Sequence, residues 1–366
     1  PDKPNLKEFL AKVEQLRDLV RYAKRLLASR ELHVAGLKSE CSRLRDVMSL
    51  IMLRRSESRL AAALRSLMAA VSALEAACAE YLESSVIDPR KYDEYVVNMY
   101  GIEPFEAEQY IEATLPALKR VVDGYGLSEA QEVTLDADVV GREAVQCRSV
   151  AKRKSILEGH ERLYTLEMPP PLTSKYGELT YFPGGGVAQR RVVGVLLVSS
   201  GSRLTVGELR LSVAHESYLG HHLHFARVAA ADLPAIFKIY QFDRSAPLVE
   251  GAAICGERVM SQVYEDLLPY FYKRAYVRFL RAKADILYYH GCSQFEEALL
   301  DLVPEWRRFR DFSLVRPGYW LSHAIGMRLI AEVVTKYFGS YEEVLRFVTS
   351  RGFVSVNALF HSLRER

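Results

Sequence analysis

Apolar residues recur at helical spacing along most of the chain. Between residues 5 and 83 they include Val13, Leu16, Leu19 and Val20, then Leu44, Val47, Met48 and Ile51. That period predicts two or three long helices. Asp88-Pro89 interrupts it and marks the expected boundary between an N-terminal helical region, 1–88, and a second domain, 89–366. A short helix is expected over 92–100 and another over 101–122, with Pro104 near its start and Gly124 beyond its end. Residues 123–154 carry no decisive period. Residues 163–168 read as a strand closed by Pro169, Pro170 and Pro171. Two further strands, 178–182 and 191–199, read as a hairpin joined through Pro183-Gly184-Gly185-Gly186. A phosphate-binding reading of that glycine run fails, since no Gly-Lys-Ser/Thr ending follows it.

Thr205, with Glu208 three residues on, is a helix N-cap candidate for the segment 204–214. Downstream we expect a short element at 233–240 and a helix opened by Pro247 that carries Glu250, Glu257 and Met260. An aromatic-rich amphipathic helix at 267–287 and a helix at 293–310 follow. Pro317 suits the first turn of the next helix, and further helices lie near 329–338, 341–350 and 354–365. The expected fold class is mainly α with a small antiparallel sheet.

Composition narrows the class. The chain has 366 residues, 49% hydrophobic and 26% charged, enough for a large core in one or two domains. A net charge of +3 is too mild to imply a nucleic-acid partner. Arginine is dense over the first helices, as in Arg17, Arg21, Arg25, Arg43, Arg45, Arg54, Arg55 and Arg59. It is interleaved with Glu14, Glu31, Glu40 and Glu57 and lacks an aromatic stacking platform, so a solvated face is expected there rather than an RNA or partner surface. Cys41, Cys78, Cys147, Cys255 and Cys292 form no Cys-x-x-Cys pair, which favours reduced thiols and a cytoplasmic setting. No signal peptide is read from the residues, and the most apolar window, 60–79, is broken by Arg65 and Glu75, so no membrane span is expected. Asparagine occurs only at Asn5, Asn98 and Asn357, which leans towards a thermophilic source.

The candidate chemistry centres on His215-Glu216-Ser217-Tyr218-Leu219-Gly220-His221-His222. Three imidazoles and a carboxylate in so short a run suit a metal. The zincin helix, His-Glu-x-x-His, sets two histidines one turn apart, with the glutamate as general base. Here Leu219 stands where the second histidine belongs. His222 would return to the face of His215 only after two turns, about 10 Å along the axis. A metal site therefore requires a break between Glu216 and His221, and Gly220 is where the backbone tolerates it. The alternative is a helix end carrying polar histidines and no metal. Glu250, beside Gly251, Ala252, Ala253 and Ile254, is costly to bury without a cation. In isolation it could equally be an exposed first-turn carboxylate interacting with the helix dipole.

Residues 211–225 resemble the His-Glu-x-Tyr-Pro-Gly-His-His-Leu signature of the domain of unknown function 885 family, with Leu219 in place of its proline. Glu250-Gly251-Ala252-Ala253 with Glu257, and Arg316-Pro317-Gly318 with residues 321–326, resemble two further blocks of that family in the same order. The resemblance runs from about Met99 to the C-terminus; residues 1–90 match nothing in it. It implies a zincin-like, gluzincin-like metallopeptidase fold with the sheet beside the active-site helix.

On that reading His215, His221 and Glu250 bind zinc, with His222 the alternative to His221, and Glu216 is the general base. Glu257 orients a ligand histidine. Tyr319 or His323 supplies an oxyanion donor; the family usually has Gln and Tyr at those positions, so the donor stays open between them. Arg316 is a candidate for a peptide carboxylate. The segment 192–198 is a candidate edge strand for an extended peptide. The expected activity is zinc-dependent hydrolysis of short peptides. Rival expectations are an amidase acting on a non-peptide substrate, and a non-catalytic helical scaffold with a degenerate site.

Overall fold

The computed structural model describes residues 89–126, 131–157, 162–168, 178–184, 193–233, 238, 245–290, 299–300, 303, 318–356, 359–360 and 363. The N-terminal region 1–88, the expected helix 293–310 and Arg316 lie outside them, apart from residues 299, 300 and 303.

Among the described residues the fold is mainly helical. Helix α1 (Pro89–Tyr100) and helix α2 (Pro104–Tyr125) come first. Helix α2 starts on a proline at its first position and buries Pro104, Ala107, Ile111 and Leu115, a stripe spaced by three and four. It ends at Gly126, which adopts the left-handed conformation and donates its N–H to the Asp123 carbonyl. The ambiguous segment after it resolves into strand β1 (Glu132–Thr134) and helix α3 (Ala137–Arg153). The Asp136 side chain accepts from the Val139 N–H and so caps α3.

Strands β2 (Arg162–Glu167), β3 (Leu179–Gly184) and β4 (Val193–Val198) form one sheet, and β5 (Arg203–Thr205) pairs antiparallel with β1. The hairpin between β3 and β4 is present, with Leu179 opposite Val198. The sheet as a whole differs from the antiparallel one expected. Its order is β2-β4-β3, and β2 runs parallel to β4 with Arg162 beside Val193 and Glu167 beside Val198. Strand β4 is thus central, and both of its hydrogen-bonding edges are taken. The proposed augmentation along 192–198 is therefore excluded, because no unpaired backbone edge remains on β4 for a peptide. Apolar alternation shows which face is buried but not whether a strand is central or peripheral.

Helix α4 (Val206–Glu216), helix α5 (His221–Ala230), helix α6 (Ala246–Val263), a short 3-10 helix (Glu265–Leu267), helix α7 (Leu268–Tyr289), helix α8 (Tyr319–Tyr337) and helix α9 (Tyr341–Thr349) complete the described elements. Helix α6 is buried almost all round and packs on α4, α5, α8 and α9. A helix buried on nearly every face belongs at the centre of a bundle, and this one takes Glu250 and Glu257 inside with it. Its crossing with α8 is close: a Cβ on Gly251 would stand 2.8 Å from the Gly326 carbonyl, and one on Gly326 would stand 2.5 Å from the Pro247 carbonyl. Helix α8 begins at Tyr319 rather than at Pro317, with Gly318 at its N-cap, and runs unbroken where two helices were expected. Gly318 has φ of +73° and lies against the Tyr100 ring, so the chain turns into α8 where only glycine fits without strain.

Candidate metal centre

The start of α4 is set by its own residues. The Thr205 hydroxyl accepts from the Glu208 N–H at 3.2 Å, and the Glu208 carboxylate reaches back to the Thr205 N–H at 3.3 Å, a reciprocal capping box. Lys273 of α7 holds the same carboxylate at 2.7 Å. Burial works to raise the Glu208 pKa, but Lys273 and Thr205 outweigh it and hold the carboxyl below its ordinary range.

The end of α4 is set by contact. A side chain on Gly220 would overlap the backbone of His215, and one on Gly256 would overlap the carbonyl of Leu219. The turn 217–220 therefore lies flat between the last turn of α4 and the middle of α6. Leu219 is fully buried there. Helix α5 starts anew at His221, and the break required by the histidine spacing falls between Glu216 and His221.

This geometry brings His221 back beside His215, with ring centroids 4.7 Å apart and planes at 82°. Ligand atoms of His215, Glu216 and His221 all lie within 4.8 Å of one another. Glu250 of α6 joins them: its Oε2 is 3.2 Å from His215 Nε2, 3.6 Å from His221 Nε2 and 3.2 Å from His323 Nε2. The Tyr319 hydroxyl donates to Glu250 Oε1 at 3.1 Å. The close crossing of α6 and α8 places Tyr319 and His323 at the same carboxylate. His222 takes no part in this group. Its Nδ1 meets the Tyr181 hydroxyl at 3.3 Å, and its ring packs edge-on against Tyr181 and Tyr218. Burial pulls the His222 imidazolium down to about 4, with Arg148 adding to the effect, so it stays neutral.

Glu257, two helical turns beyond Glu250, is fully buried and meets His215 Nδ1 at 2.7 Å. Arg274 and Arg278 of α7 both bind it. Burial would raise its pKa, but the two guanidiniums and His215 hold it well below the usual carboxylate range. Glu257 is thus an acceptor only, so His215 Nδ1 carries the proton and Nε2 faces Glu250. His323 Nδ1 lies 3.2 Å from the Tyr319 carbonyl, again an acceptor, which turns its Nε2 lone pair towards Glu250. Acceptors facing an acceptor require a proton or a cation between them. A proton on His215 meets the need: burial depresses that imidazolium, but Glu250 and Glu257 together raise it to about 9. A divalent metal meets it too, and two imidazoles with a carboxylate are a donor set suited to zinc. The residues therefore fit such an ion.

Sequence reasoning missed Arg274 and Arg278. They lie four residues apart on the aromatic-rich helix, where a pair of arginines on a largely buried face was a signal that something anionic lay opposite.

No family model and no curated protein matches the chain. Among solved structures it is similar to "The crystal structure of the putative lipoprotein from Colwellia psychrerythraea", at 14% identity and a TM-score of 0.58, covering 100% of this chain and 77% of that one. At that identity the likeness concerns the fold alone. No described helix is long and apolar enough to cross a membrane.

Proposed function

We propose that the chain is a zinc-dependent hydrolase that cleaves peptide bonds in short peptides. The observation that carries the reading is the break at Gly220, which sets His221 beside His215 and Glu216 at the buried Glu250. His215, His221 and Glu250 would hold the metal. Bound there, zinc would polarise the scissile carbonyl and lower the pKa of a water molecule. Glu216 stands beside both histidines, with its side chain 18% exposed, and so has access to solvent. It takes a proton from the attacking water and passes it to the leaving amine. Tyr319 and His323 lie at the same carboxylate; the Tyr319 hydroxyl is placed to donate to the oxyanion that develops, and His323 would do so when its Nε2 carries a proton. Glu257 keeps His215 in the tautomer that offers Nε2.

The test is elemental analysis of protein purified without a metal-affinity tag, followed by a peptide-library digest. About one zinc per chain, lost in His215→Ala and in His221→Ala, is the expected result. Glu216→Gln should keep the zinc and abolish cleavage. Loss of zinc in that variant would make Glu216 a ligand instead of the base. A chain that binds no added zinc would end the proposal and leave the helical scaffold as its reading.

A further inference from the structure

The carboxylate that orients His215 is bound more heavily than charge balance requires. Glu257 has no solvent exposure. Arg274 donates from Nε to Oε2 at 3.1 Å and from Nη2 to Oε1 at 3.3 Å. Arg278 donates from Nη1 to Oε2 at 3.0 Å and from Nη2 to Oε1. His215 Nδ1 adds a fifth donor, at 2.7 Å from Oε1. One arginine would neutralise the carboxylate. A second guanidinium, with Arg278 itself only 7% exposed, adds a desolvation cost that a simple staple between helices does not need.

What the second fork adds is direction. Two planar forks gripping both oxygens from different positions on α7 fix the plane of the carboxylate as well as its charge. Arg274 is itself aimed by α4, since its Nη1 donates to Ser212 Oγ at 2.7 Å, three residues before His215. The chain of contacts runs from Ser212 through Arg274 and Glu257 to His215, and closes on the helix where it began.

We infer that Arg274 and Arg278 are positioning residues: acting through Glu257, they hold the proton on His215 Nδ1 and the ring's orientation, so that Nε2 is the nitrogen turned towards a metal. The inference rests on the metal reading above. A ring pinned in advance loses no orientational freedom when the ion arrives, and groups that orient a ligand histidine in this way are typically worth 10–100-fold in metal affinity.

The experiment uses the full chain labelled with nitrogen-15 at histidine, as wild type and as Arg278→Met, Arg274→Met, Ser212→Ala and Phe279→Leu. Phe279 is a fully buried core residue next to Arg278 on α7, so its variant controls for lost packing. Two quantities are read: zinc affinity by competition with a chromophoric chelator, and the hydrogen-bonded Nδ1–H resonance of His215. Each arginine variant is expected to weaken zinc binding by roughly 10–100-fold and to shift or broaden that resonance, with Ser212→Ala giving a smaller change in the same direction. Phe279→Leu should lower the melting temperature and leave both readings as in wild type.

Arginine variants that lose stability but keep zinc affinity within about twofold and an unchanged Nδ1–H resonance would overturn the inference. If Arg278→Met does not fold, Arg274→Met and Ser212→Ala decide, since the first leaves one arginine on Glu257 and the second leaves both. If the wild type binds no zinc, the metal reading fails on its own and the resonance decides the positioning role: its loss in the arginine variants supports that role, and its persistence refutes it.

Discussion

The backbone of His215 occupies the place where a side chain on Gly220 would have to stand. That single contact ends α4 and starts α5, and it lets two histidines six positions apart meet across one site. Replacing Gly220 with Ala should destabilise the chain by roughly 3 kcal/mol and remove bound zinc, because the turn must move to admit the methyl group. Gly256→Ala presses on the same turn through the Leu219 carbonyl and should act likewise. Urea denaturation with metal analysis of both variants checks this. A Gly220→Ala variant with full metal content would refute the account of the break.

His221 and His222 should separate cleanly on mutation. His221→Ala should lose the metal at little cost in folding. His222→Ala, which removes a buried ring packed against Tyr181 and Tyr218, should keep the metal and cost roughly 1–3 kcal/mol. Metal content and thermal melts of the two variants side by side would show the reverse pattern if the assignment were wrong.

The crossing of α6 and α8 offers a way to disturb the donors without touching them. Gly326→Ala would push α8 away from the Pro247 carbonyl and so draw Tyr319 and His323 back from Glu250. We expect zinc to stay, turnover to fall by more than tenfold and stability to drop by about 1–3 kcal/mol. Steady-state kinetics on whichever peptide the digest identifies provides the readout, and unchanged turnover in a destabilised variant would remove Tyr319 and His323 from the mechanism.

The capping box predicts an acid-dependent term in stability. Thr205→Ala should cost about 1 kcal/mol at neutral pH. For Glu208 the sign follows from its depressed pKa: the contribution is present above the unfolded carboxyl value of about 4.3 and is lost as pH falls through the lower folded value. Glu208→Gln should therefore be less stable than wild type at pH 7, and the gap should close below about pH 4. Chemical denaturation across that range measures the gap, and one that stays constant would mean the carboxylate charge plays no part.

Much of the local architecture was legible in the chain. Pro104 marked the start of α2, Pro247 that of α6 and the Thr205/Glu208 pair that of α4, while amphipathic spacing marked α7. The hairpin of β3 with β4 followed from two apolar runs flanking a glycine-rich turn. The need for a break at Gly220 was also readable, because helical geometry cannot bring His215 and His221 together otherwise. Local spacing determines where a residue sits around and along its own helix, and those inferences use nothing more.

Tertiary structure decided the rest. Which histidine faces Glu250 depends on how the turn 217–220 lies against Gly256, a contact made across 37 residues between Leu219 and Gly256. Strand β4 became central because β2 added to its second edge, and pairing of that kind leaves no mark on a strand's own alternation. Arg274 and Arg278 received no role from the sequence; the packing of α7 against α4 and α6 set them on Glu257. Periodicity specifies a residue's direction from its own axis; only the packing of one axis against another specifies what it meets.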